Sequence, residues 1–197
     1  MLFRSLPEGD PPPPLPEGCF ALLDPVVAAA PLVRTIRGFR PHVLTTYDEQ
    51  GGYPHPDHIQ CHRVSVAALK LARDPAWHPE LGPAWTVPKV YYQFGFHRLR
   101  YAALDAAMHE AGMASPYAER LARWDDRNYE HRITTRVPCA DYFEVRDAAL
   151  RAHASQIDPD GHWFAVPLET QRRAWPTEDR SEEHTSELQS PSLISYA

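Results

Sequence analysis

Between residues 24 and 72 the chain runs through a helical stretch, a tight glycine turn, a short β-favouring run and a second helical stretch. This succession limits the possible folds more than any other feature, because it is the repeating grammar of an α/β sheet protein. Residues 24–38, DPVVAAAPLVRTIRG, open with Asp24 as N-cap and Pro25 at the first helical position, and Gly38 is the expected terminator. Val26, Val27, Ala30, Val33 and Ile36 give an apolar face, and Pro31 is expected to bend or restart the helix. Residues 41–47, PHVLTTY, read as a strand, and residues 57–72 as a helix with Ile59, Val66, Leu69 and Ala72 among its apolar positions. Further strands are expected at 89–94 and 133–139, the latter at an edge because Pro138 cannot donate to a ladder. Further helices are expected at 99–111, closed by Gly112, at 115–126, and at 142–157 with Phe143, Ala149 and Leu150 toward its buried side. Residues 6–18 hold six prolines and read as a rigid surface connector.

Composition narrows the function. The chain has 197 residues and a net charge of −6, which argues against a nucleic-acid partner, since that needs a basic face. No apolar run approaches the roughly 18 residues that span a bilayer, and no export signal is visible. Three cysteines, Cys19, Cys61 and Cys139, are too few and too widely spaced for a disulfide scaffold. They point to a reducing, cytoplasmic setting.

The two ends read differently from the middle. Residues 180–190, RSEEHTSELQS, match what a sequencing adapter encodes when translated in frame, residues 194–197 match further adapter, and residues 1–5 resemble the opposite adapter. The natural segment is then 6–179, one partial domain, and residues 180–197 are expected to be a disordered tail without packing contacts. The segment is expected to begin and end inside a longer protein.

Chemistry concentrates beyond the first strand. In open α/β sheets ligands bind past the carboxyl ends of strands, and there the chain reads YDEQGGYPHPDH. His55, Asp57 and His58 lie within four residues, and His62 stands one helical turn past His58. Neutral imidazole binds zinc, and a neighbouring carboxylate can ligate or hold a histidine tautomer. Alone, the pattern supplies part of a metal site or an acid–base group, and it equally suits a polar loop before a histidine-bearing helix. Cys61 and Cys139 read as small buried residues, Tyr91, Tyr92 and Phe94 as sheet and core, and His153 as facing core or cleft. Gly51-Gly52 lacks the pattern of a phosphate loop.

GGYPHPDH, with the upstream RPHVLTTYDE, resembles the second conserved block of the LmbE-like, or PIG-L-like, zinc-dependent deacetylases. CHRVSVAA, ADYFEVRDAALRAHASQIDPDGHWFAVP and RRAWPTED point more narrowly to actinobacterial amidases acting on mycothiol S-conjugates. The resemblance covers essentially all of 6–179. It implies a Rossmann-like three-layer α/β fold with a largely parallel sheet, incomplete here because its first strand is missing. It also implies a Zn2+ cofactor, a small-molecule thiol-conjugate substrate, and no nucleic-acid or membrane partner. The implied reaction is amide hydrolysis giving a mercapturic acid and glucosaminyl-inositol; the related deacetylase of mycothiol biosynthesis is the alternative. By the same resemblance His58 is a zinc ligand, and His55 stabilises the oxyanion and can protonate the leaving amine. Asp57 orients a histidine, and Tyr53 lies at the cleft rim. The family's A-H-P-D-D-E block, which carries two further ligands and the base, does not occur in this sequence. The chain by itself is therefore expected to be marginal in stability and inactive.

Overall fold

A computed structural model describes residues 14–124 and 130–183. Over these described residues it is a mixed α/β fold of six α-helices and four strands, consistent with a Rossmann-like arrangement. The hydrogen-bonded strand order is β1 (Val43–Thr46), β2 (Lys89–Gln93), β4 (Thr177–Glu182), β3 (Thr135–Pro138). The described residues divide into two compact units, one of residues 14–93 with residues 180–183 and one of residues 94–124 and 130–179.

In the first unit β1 and β2 run parallel, Val43 opposite Lys89 and Thr46 opposite Tyr92. Residues 180–182 of β4 add antiparallel to β2, with Ser181 opposite Tyr92, so the sheet is mixed. This corrects the expectation for the start of the tail: Arg180 and Ser181 lie in a strand, and Glu182 pairs with Lys89 at 3.2 Å. Residues 1–5 and 184–197 lie outside the described residues.

Helix α1 (Pro25–Phe39) starts where the sequence predicts, because the Asp24 carboxylate accepts from the amides of Val26 and Val27. It continues unbroken through Pro31, whose position is exposed, so the carbonyl that loses its bond there can be met by water. It also runs through Gly38 and ends at Arg40, which adopts the left-handed conformation at φ 54°. The buried face is Ala29, Val33, Ile36 and Arg37, whereas Val26 and Val27 are exposed. This stripe packs with Val64, Val66, Ala68, Leu69 and Ala72 of α2 (Pro56–Ala72) and with Val87, Val90 and Tyr92.

Arg37 is almost wholly buried, and among the described residues its guanidinium hydrogen-bonds to carbonyls and to no carboxylate. Its five N–H donors meet five carbonyls: Ala72, Leu71, Asp74, His78 and Gly82, at 2.7–3.2 Å. Two of these are last-turn carbonyls of α2, which a helix cannot satisfy itself. The side chain thus ties the end of α2 to the α1 stripe.

The second unit contains α3 (Arg98–Glu110), α4 (Ala118–Ala122), α5 (Phe143–Arg151) and α6 (Leu168–Ala174). Gly112 ends α3 as predicted, at φ 70°. The expected 115–126 helix is reduced to the short α4, with residues 125 and 126 outside the described residues. Helix α5 stops at Arg151 and buries Phe143 and Asp147; Ala149 is exposed, contrary to expectation. Tyr101, Leu104, Met108, Tyr117 and Val166 form the apolar core of this unit.

Candidate functional site

The site is built where β1 hands over to α2. Asp48, buried just past the strand, accepts the amides of Gln50 (3.1 Å) and Gly52 (2.9 Å) on Oδ1, while its carbonyl accepts Gly51 N–H at 2.9 Å. The chain reverses through Gly51 and Gly52 at φ 74° and 72°. At Gly51 a Cβ would lie 2.7 Å from the His58 Cβ, so both the conformation and the close approach require glycine. His55 is the N-cap of α2, with Pro56 at the first helical position.

Two histidines three residues apart are held in opposite tautomers by their backbone partners. His58 Nδ1 lies 3.0 Å from the Gly51 carbonyl, which can only accept; Nδ1 therefore carries the hydrogen, and the neutral ring keeps its lone pair at Nε2. His55 Nδ1 accepts the Asp57 amide at 3.1 Å, so its hydrogen is at Nε2. One ring thus has a ligand nitrogen where the other has a donor. The rings lie 4.9 Å apart.

The other candidates surround this pair. Tyr53 is half-exposed and sets its ring edge against His58 at 4.7 Å and His55 at 6.0 Å. Asp57 acts on His55 through its backbone amide; among the described residues its carboxylate bonds neither histidine. Tyr47 stacks flat on His58, with centroids 4.2 Å apart and planes at 11°, and burial pushes its phenol pKa up. His62 Nδ1 lies 3.0 Å from the Tyr47 carbonyl, and its ring meets Tyr92 at 5.4 Å. The remaining sequence candidates lie elsewhere. His153 is exposed just past α5 and bonded to Ala149 O of that helix, and Cys61 and Cys139 are only partly buried.

His58 has the donor chemistry of a zinc ligand: an imidazole whose second nitrogen is committed to a backbone carbonyl. Among the described residues, however, no group of three His, Cys, Asp or Glu side chains comes together to hold a metal. One oriented nitrogen is a part of a tetrahedral site.

Sequence reasoning passed over a second histidine cluster, in the Phe94–Asp179 unit. His97 caps α3, its Nδ1 accepting the Arg100 amide at 3.4 Å, and its Nε2 donates to Asp179 Oδ2 at 2.7 Å. Asp179 also accepts Trp175 Nε1–H at 3.0 Å and Thr177 Oγ1–H at 3.1 Å, with Arg136 Nε 3.9 Å away. Both members are buried, and burial pushes the His97 pKa below its ordinary value, against the opposing pull of Asp179. The one available sequence signal was a histidine standing just before a helical run.

No family model matches the chain. It is 56% identical over 178 residues to the mycothiol S-conjugate amidase of Streptomyces coelicolor, an alignment covering 89% of this chain and 61% of that protein. It is 40% identical over 169 residues to the 1D-myo-inositol 2-acetamido-2-deoxy-alpha-D-glucopyranoside deacetylase of Streptomyces avermitilis, covering 82% and 55%. The deacetylase of the same name from Geodermatophilus obscurus is 42% identical over 147 residues, covering 73% and 49%. The chain is similar to these amidases and deacetylases over most of its own length. It spans between about half and three fifths of the length of these relatives. Among the described residues, no helix is long and apolar enough to cross a membrane.

Proposed function

We propose that the whole protein is a zinc-dependent amide hydrolase acting on mycothiol S-conjugates. One observation carries this reading: identity is 56% to the S-conjugate amidase against 40% and 42% to the two deacetylases. The reaction adds water across the amide C–N bond, leaving a mercapturic acid and the free amine of glucosaminyl-inositol, a step suited to thiol-based detoxification. Zinc, when bound, supplies Lewis acidity and a nucleophilic water.

Each residue then has a separate task. His58 offers Nε2 as one metal ligand, the remaining ligands and the base coming from sequence outside this chain. His55 presents its Nε2–H to the oxygen on which negative charge develops; with Nδ1 held by the Asp57 amide the ring has no second proton to give, so the departing amine takes the proton that the base removes from the attacking water. The Asp57 amide keeps His55 in the tautomer this requires. Tyr53 stands at the exposed rim beside both rings. The three cysteines are all free thiols, which suits a cytoplasmic enzyme.

The test uses the protein at its relatives' full length. His58→Ala is expected to lose zinc and turnover together. His55→Ala keeps zinc and loses ~10²–10³ in kcat, the scale of one oxyanion donor. Zinc retained by His58→Ala would remove the ligand assignment. The deacetylase alternative is favoured by the shared segment with the Streptomyces avermitilis enzyme. A marked preference for an N-acetyl substrate over an S-conjugate would establish it instead.

A further inference from the structure

We propose that Tyr47 and His62 are positioning residues that together fix the plane of the His58 imidazole; the metal role of that ring rests on the function proposed above. A single hydrogen bond from Nδ1 to Gly51 O fixes one point of the ring and leaves rotation about that bond. The face of Tyr47 supplies the second restraint, lying nearly parallel to the imidazole at 4.2 Å. That face is useful only if Tyr47 is itself held, and His62 holds it. His62 Nδ1 donates to the Tyr47 carbonyl from the same helix that carries His58, one turn further on. Loop and helix are thus joined at two carbonyls, Tyr47 and Gly51, by two histidines with the same tautomer, and the stacked ring closes the circuit. The buried Asp48 stiffens the span between the two carbonyls by gathering the amides of Gln50, Gly51 and Gly52. A ligand lone pair lies in the ring plane, so orientation decides whether Nε2 reaches a metal. Outer partners of a ligating histidine are typically worth ~10–100-fold in metal affinity.

Long-range proton–nitrogen spectra of the chain at mildly alkaline pH read the His58 tautomer without any metal. His58 should be Nδ1-protonated alone in the wild type and in Tyr47→Phe, which keeps the ring face and the backbone carbonyl. In Tyr47→Leu and in His62→Ala a substantial share of the Nε2-protonated form should appear. Should the smaller leucine unfold the chain, His62→Ala decides, since it removes the anchor and leaves the Tyr47 side chain intact. An unchanged tautomer in the folded variants overturns the proposal, as does Tyr47→Phe behaving like Tyr47→Leu. At the relatives' full length, zinc affinity should fall about tenfold in Tyr47→Leu and in His62→Ala and hold in Tyr47→Phe. Equal affinity in all of them also overturns it. Zinc unaffected by His58→Ala would instead remove the ligand assignment, leaving the tautomer spectra to judge the positioning.

Discussion

Each of the two units starts a helix with a histidine cap, and the two caps serve different ends. At His55 and at His97 the Nδ1 nitrogen accepts an amide of the first helical turn, which places the hydrogen on Nε2. At His97 that hydrogen enters a buried carboxylate already holding Trp175 and Thr177, so the histidine becomes a pin in the interior. At His55 the ring is half-buried beside the aromatic faces of Tyr53 and His58. One local device yields a structural tie where its second nitrogen is enclosed and, on the function proposed above, a chemical group where it faces a loop. The cap alone therefore does not mark a site; what surrounds the other nitrogen does.

The largest effect should come from breaking the buried end of this comparison. Asp179→Ala deprives His97, Trp175 and Thr177 of one shared acceptor and should cost ~3–5 kcal/mol in urea unfolding, at ~1–3 kcal/mol for each donor left unmet. A loss comparable to an exposed cap would dissolve the distinction. His97→Ala should cost about 2–3 kcal/mol, since Asp179 keeps Trp175 and Thr177 but loses its 2.7 Å bond to the ring. His55→Ala, by contrast, removes a cap in a half-exposed loop and should cost only about 1 kcal/mol.

The pH dependence sharpens the same contrast. Burial holds the His97 pKa below its ordinary value, so between the two values the unfolded chain binds the extra proton. The contribution of His97 to stability is then complete above the unfolded value of about 6.5 and is lost as pH falls from there toward the folded pKa. Thermal melts across that interval should slope downward in the wild type and flatten in His97→Gln. An unchanged slope in the variant would assign the dependence to other groups. The smallest effect belongs to Asp57→Ala, which removes a favourable charge from the first turn of α2 and should cost ~0.5 kcal/mol, screened by salt.

The same division explains what could be read in advance. Strands β1 and β2 and helices α1, α2 and α3 were legible because apolar periodicity and end signals agreed, as at Asp24, Gly112 and Val90. The rotated face of α1 was not, because Arg37 took a core position that its residue type argues against. Strand β4 reads TEDRSE, with no apolar alternation; the buried positions of that strand are filled by Asp179 and Ser181, so its partners define it. At the site, His55, Asp57, Tyr53 and His58 were visible as a spaced cluster. The backbone groups that fix the histidine protons were not, because Gly51 O at His58, Tyr47 O at His62 and the Asp57 amide at His55 are generic until the loop folds.

The opposite tautomers of His55 and His58 also carry a consequence for covalent labelling. An electrophile that acylates imidazole attacks through the nitrogen lone pair, never through N–H. In His58 that pair sits at Nε2, pointing away from the Gly51 bond, whereas in His55 it is engaged with the Asp57 amide. An acylating reagent should mark His58 well before His55, and each mark would identify its residue by the nitrogen that carries it.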